Sequence, residues 1–118
     1  MSPQFIRDKP ASSVQKTEEL ERFLDTCRDE DLIARASNAF DELRRNYEWG
    51  DHKVEKDRWP QYYKDKWGIR NLYVAELGGK PSWRLTYALY ANVGITVLCL
   101  EIMTHDEYNK RFGYRKNR

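Results

Sequence analysis

Arg84 is the residue of this sequence whose position most directly indicates chemistry. It lies inside the alternating segment WRLTY, residues 83–87, in which the three large apolar or aromatic side chains face the opposite way. A guanidinium on that face needs an anion. The sequence leaves two alternatives open: a salt bridge across a sheet to Glu76 or Glu101, or the phosphate group of a ligand.

A histidine and a tyrosine follow the last apolar segment at a spacing of one helical turn. His105 and Tyr108 can share one face of a helix. Together with Arg84 they would supply a proton-transfer group, a hydrogen-bond donor and a fixed cation, which cleavage of RNA through its own 2′-hydroxyl requires. The alternative for His105 is a helix-cap residue packed against the sheet. His52 has no carboxylate or cysteine at metal-ligand spacing, and we interpret it as a surface histidine.

Basic residues concentrate in the second half of the chain. Residues 1–60 carry 11 positive and 14 negative charges, a net of −3, whereas residues 61–118 carry 10 positive and 5 negative, a net of +5. Aromatic residues alternate with these cations, so charges could hold phosphates while rings stack on bases, although core packing is the alternative for each ring. The predicted RNA-binding residues are Lys64, Lys66, Arg70, Lys80, Arg111, Arg115 and Lys116.

Length and composition restrict the class of protein. A chain of 118 residues, 40% hydrophobic and 34% charged, suits a single domain with one core, predicted here for residues 1–118. No apolar stretch approaches the roughly 18 residues that span a bilayer, so we expect a cytoplasmic protein with no membrane partner. Cys27 and Cys99 lack zinc-ligand neighbours and are expected to be buried free thiols. We therefore expect no metal and no cofactor.

The first half of the chain is predicted to be helical. Residues 1–12 are expected to form a loosely ordered arm or one edge strand. An apolar stripe and two early glutamates predict a helix from Thr17 to Cys27, and the acidic run at 29–31 caps a second helix that ends near Gly50. Residues 51–71 have no sustained period and are interpreted as a connector.

The second half is predicted to be a meander of three antiparallel strands, residues 72–77, 83–89 and 95–102, with the last strand central and covered on both faces. The S/T-x-x-E pattern at Thr104 predicts a short helix from His105 to about Phe112. The fold class is therefore α+β, with two helices on one face of a three- to four-stranded antiparallel sheet and the other face open for function. The predicted single core contains Leu20, Phe23, Leu24, Leu32, Phe40, Leu43, Leu85, Val97 and Leu100.

The order of these elements resembles the RelE/ParE superfamily, the small toxins of prokaryotic toxin–antitoxin pairs. The resemblance rests on WPQYY at 59–63, NLY at 71–73, WRLTY at 83–87, and the ending LEI-x-x-HD-x-Y-x-x-RF at 100–112. It implies a RelE-like fold and a cognate antitoxin that wraps the sheet and helices.

In the RelE branch, the resemblance implies a toxin that inhibits translation by cleaving messenger RNA on the ribosome without a metal. Arg84 would contact the scissile phosphate, and His105 or Tyr108 would be the acid or base. The first meander strand departs from the RelE pattern because it has no lysine or arginine. Glu76 on that strand would then act as the base, as a glutamate does in some relatives. The alternative is a non-catalytic ParE-like or inactive RelE-like protein that acts by protein–protein binding.

Overall fold

The computed structural model describes residues 9–50 and 52–113. Its helices are α1 (Glu18–Thr26), α2 (Glu30–Arg45), α3 (Gln61–Trp67) and α4 (His105–Arg111), with a 3₁₀ turn at Lys56–Arg58. Its strands are β1 (Ser13–Lys16), β2 (His52–Lys53), β3 (Tyr73–Gly78), β4 (Trp83–Asn92) and β5 (Gly94–Thr104). The predicted α+β class is confirmed, as is the helix that begins at His105.

The five strands form one mixed sheet in the order β1-β5-β4-β3-β2. The predicted antiparallel neighbours β3, β4 and β5 are confirmed. The expected three- to four-stranded antiparallel sheet is wrong in detail, because β1 adds a parallel edge strand next to β5 and β2 adds an antiparallel one next to β3. Strand β4, rather than β5, is therefore central.

The part of the predicted arm that is described, residues 9–12, is hydrogen-bonded to the body of the protein. The backbone N–H of Ala11 donates to the carbonyl of Arg44, and that of Tyr47 donates to the carbonyl of Lys9. The N–H of Tyr47 thus donates to Lys9 and not to a carbonyl of α2. This helix ends at Arg45 rather than near Gly50. Residues 1–8 of the predicted arm lie outside the described residues.

Helices α1 and α2 cover one face of the sheet, and their caps follow the sequence pattern. The side chain of Thr17 accepts from the N–H of Leu20, and that of Asp29 accepts from the N–H of Leu32. Leu20 and Leu32 are both buried in a first core cluster with side chains of β3, β4 and β5, including Leu85. This cluster holds most of the predicted core, with Phe23, Leu24 and Phe40 packed around it half-buried.

The opposite face of the sheet is not open, which corrects the sequence-based expectation. Helices α3 and α4 and the segment before α3 cover it, and a second buried cluster forms there around Tyr63, Leu72, Leu100 and Phe112. The predicted single core is wrong for Leu100, because that side chain lies in this second cluster. Residues 51–71 lack a period because only one of their buried side chains, Tyr63, lies in a helix, whereas Val54, Trp59 and Ile69 lie in the connections between short elements.

Strand β5, which contributes side chains to both clusters, contains a bulge. Thr86 pairs with Glu101 and Tyr87 pairs with Cys99, so Leu100 is the extra residue. The hydroxyl of Thr17 donates to the carbonyl of Leu100 at 2.8 Å. This bond satisfies a backbone group that the ladder leaves unpaired and ties the start of α1 to the bulge.

Candidate functional site

The candidate site is built on neighbouring positions of β3 and β4. Glu76 pairs directly with Arg84, so their side chains share one face. Arg84 Nη2 lies 3.6 Å from Glu76 Oε2, and the Arg84 side chain is only 16% exposed against 62% for Glu76. Arg84 Nε is buried and has no hydrogen-bond partner among the described residues. The guanidinium is therefore held close to Glu76, while its buried Nε makes no hydrogen bond to the described residues.

Helix α4 supplies the aromatic support for this guanidinium. The Cζ of Arg84 lies 4.8 Å from the centroid of the Tyr108 ring, a cation–π contact. Tyr108 is in turn stacked on Phe112 with centroids 4.3 Å apart. The predicted capping box is present, with Thr104 and Glu107 bonding each other's backbone N–H groups, so the start of the helix that carries Tyr108 is fixed.

A pocket of about 360 Å³ opens beside Arg84. It is lined by His52, Lys53, Val74, Glu76, Arg84, Tyr108 and Asn109. Two cations and one exposed carboxylate therefore surround a partly apolar floor. Such a pocket suits an anionic group that interacts with the guanidinium while a carboxylate and an imidazole stand close by.

The structure brings together three of the four predicted catalytic residues, namely Glu76, Arg84 and Tyr108. His105 is half-buried at the start of α4, where its backbone N–H donates to the carbonyl of Ser82. It is not among the residues that line the pocket. Its predicted role as acid or base stays a prediction.

The predicted RNA-binding cations are not all in one place. Lys64 and Arg70 are exposed on and just after α3, and Lys80 is exposed in the loop between β3 and β4. Lys66 pairs with Glu19 of α1 at 2.6 Å. Arg115 and Lys116 lie outside the described residues. None of the predicted RNA-binding cations within the described residues lines the pocket. Lys53, which was not predicted, does line it.

Arg111 belongs to a second polar cluster, centred on Glu101. The Oε1 atom of Glu101 accepts from the hydroxyls of Tyr62 and Tyr63, each at 2.7 Å, and lies 3.5 Å from Arg111 Nη1. Burial, followed by the hydrogen bond and the charge of Glu101, raises the pKa of Tyr62 well above 10.0. Burial and then the charge of Glu101 do the same to the pKa of Tyr63. Glu101 therefore holds α3 against the sheet, whereas Arg84 contacts Glu76, the residue directly opposite it on β3.

Sequence reasoning missed His52, Lys53 and Asn109 as parts of the site. Strand β2 has only two residues, too few for an alternating pattern to be visible. Its position next to β3 depends on the pairing of His52 with Val74, 22 positions further along the chain. No signal in the sequence pointed to this pairing.

The cysteines are both free thiols, but only one is fully buried. Cys99 is buried and Cys27 is half-buried. Burial raises the pKa of the Cys99 thiol to about 12, so it is unreactive at neutral pH. Within residues 9–50 and 52–113, no group of three or more histidine, cysteine, aspartate or glutamate side chains could hold a metal ion. No helix in these residues is long and apolar enough to cross a membrane.

Comparison of the chain with models of known protein families, with curated proteins and with solved structures found no match. The candidate function is therefore argued from the geometry of the Arg84 pocket.

Proposed function

We propose that this protein is an RNA-directed endoribonuclease that inhibits translation, the toxin of a toxin–antitoxin pair, and that it acts on messenger RNA in the cytoplasm. One observation carries the proposal: the guanidinium of Arg84 is held between Glu76 and the Tyr108 ring and lines a pocket. The resemblance of the WRLTY segment to RelE-type toxins is the reason for proposing RNA over other phosphate esters.

The pocket residues suit cleavage through the 2′-hydroxyl group of the RNA. Glu76 is exposed and would accept the proton of the attacking hydroxyl. Arg84 would meet the charge that develops on the phosphate oxygens, and Tyr108 would hold the guanidinium in place. The products would be a 2′,3′-cyclic phosphate and a 5′-hydroxyl end.

A second candidate function is non-catalytic binding of a protein partner through the same surface. It is favoured by the ion pair between Arg84 and Glu76, since a guanidinium already opposed by a carboxylate needs no phosphate. In that case the protein would slow growth by contact with its partner and would leave RNA intact.

Cleavage of RNA by the Arg84→Ala variant tests the proposal. We expect the wild-type protein to generate new ends on messenger RNA, either free or bound to ribosomes, and Arg84→Ala to reduce the rate by about 10²–10³. Arg22→Ala is the matched control, because Arg22 is an exposed arginine on α1 whose exposed ion pair with Glu18 contributes little to stability. Growth inhibition without new RNA ends would refute the nuclease proposal and favour the protein-binding function.

A further inference from the structure

The chain's other histidine, His52, lies at the candidate site although its neighbours in the sequence gave no reason to expect it there. We infer that His52 is the catalytic proton donor to the leaving 5′-oxygen of the RNA, an inference that rests on the proposed function. The role of acid predicted for His105 or Tyr108 then belongs to a residue of β2.

The pairing of three strands places His52 on the same face as the other site residues. His52 pairs with Val74, and Val74 pairs with Thr86. Glu76 and Arg84 form the next row along the same strands. Directly paired residues share a face, and residues two apart on one strand do as well, so all of these side chains project to one side. His52 and Glu76 are thus diagonal neighbours, at a typical backbone separation of about 7–8 Å.

Accessibility distinguishes His52 from the two other candidates for the proton donor. His52 is exposed and lines the pocket. Tyr108 is only 3% exposed, with its ring covered by Arg84 on one side and stacked on Phe112. His105 does not line the pocket. A group that protonates a leaving oxygen must reach the substrate, and histidine is the side chain that most often does so.

The resulting reaction is balanced within the site and the RNA. The 2′-oxygen forms a bond to phosphorus and gives its proton to the Glu76 carboxylate. The bond from phosphorus to the 5′-oxygen breaks, and that oxygen takes a proton from the His52 imidazolium. The protonated carboxyl and the neutral imidazole then return to their starting states by exchanging one proton through water.

Replacing the leaving oxygen by sulfur tests this role, because a thiolate leaves without being protonated. The substrates are two RNA oligonucleotides of one sequence, one of them with a bridging 5′-sulfur at the cleaved linkage. We expect His52→Gln to slow cleavage of the oxygen-linked RNA by about 10²–10⁴ and to cleave the sulfur-linked RNA at nearly the wild-type rate. Arg84→Ala should slow both, and His105→Gln should keep the wild-type ratio between them.

Several outcomes would overturn the assignment. If His52→Gln slows both substrates equally, or neither, His52 is not the proton donor, and the same holds if His105→Gln shows the selective loss instead. If the wild-type protein cleaves neither RNA, free or on ribosomes, the proposed function itself fails, which separates that failure from an error about His52. Because His52 is exposed, circular dichroism should show the variant to be folded.

Discussion

At the scale of single residues, Glu101 and Glu76 lie on the same face of the sheet but differ in burial, and they have different roles for that reason. Glu101 accepts hydrogen bonds from the hydroxyls of Tyr62 and Tyr63 and therefore holds α3 against the strands. Glu76 is exposed, and its contact with Arg84 is long. The first carboxylate is committed to structure, whereas the second is free to exchange its partner for a ligand.

The buried hydroxyl of Tyr63 predicts a loss of stability at alkaline pH. Its pKa in the folded protein is raised well above 10.0, so the unfolded chain loses the phenol proton first as the pH increases. The stabilising effect is complete below pH 10 and is lost above it, by about 1.4 kcal/mol per pH unit. Urea unfolding between pH 8 and 11 should show Tyr63→Phe to be less sensitive to alkali than the wild type.

The control for this experiment is Tyr62→Phe. Tyr62 is 37% exposed, so its contribution is reduced by solvent, and this variant should stay closer to the wild-type curve. The Tyr63 hydroxyl lies 2.7 Å from Glu101 Oε1 and 2.8 Å from Thr86 Oγ1. If Tyr63→Phe follows the wild-type curve above pH 10, the hydroxyl is not buried between these two groups.

At the scale of elements, two threonine caps of the same type have different surroundings. Thr104 caps α4 through a capping box whose bonds are exposed. Thr17 caps α1, is 7% exposed, and also donates to the carbonyl of Leu100 at the β5 bulge. Thr17 therefore connects a helix start to a strand irregularity 83 positions away.

This difference predicts that Thr17→Ala is more damaging than Thr104→Ala. Loss of an exposed cap typically costs about 1 kcal/mol of the free energy of unfolding. Loss of the bond to the buried Leu100 carbonyl should add about 1–3 kcal/mol for Thr17→Ala alone. Denaturant unfolding would measure both, and Thr17→Ser, which keeps the hydroxyl, should remain close to the wild type. Equal costs for the two alanine variants would contradict the described bond at the bulge.

At the scale of the whole molecule, the sheet is covered on both faces, and each face has its own buried cluster. Leu85 represents the cluster under α1 and α2, and Leu100 the cluster under α3 and α4. Both side chains are 0% exposed. Stability thus depends on both layers of helices, and the candidate site lies at the margin of the second layer.

We therefore predict that Leu85→Ala and Leu100→Ala are similarly destabilising. Each should lower the free energy of unfolding by about 2–5 kcal/mol, because each empties a filled site. Val93→Ala is the control: Val93 is 89% exposed, and its loss should change stability by less than about 0.5 kcal/mol. A thermal midpoint that barely moves in Leu100→Ala would show that the second cluster is not packed as described.

The sequence by itself determined the elements whose signals are local. The caps at Asp29 and Thr104 and the alternation around Arg84 were all predicted, because capping and periodicity depend on residues within a few positions of each other. For the same reason, the three neighbouring antiparallel strands were predicted correctly.

Tertiary structure alone decided which distant segments meet. Strand β1 lies parallel to β5, from which α1, α2 and the rest of the sheet separate it in the sequence. Nothing within Ser13–Lys16 encodes that partner. The cover over the second face and the approach of His52 to Glu76 likewise depend on pairing between residues far apart in sequence. Such contacts are selected by the burial of whole faces, and a two-residue strand has no periodicity from which they could be predicted.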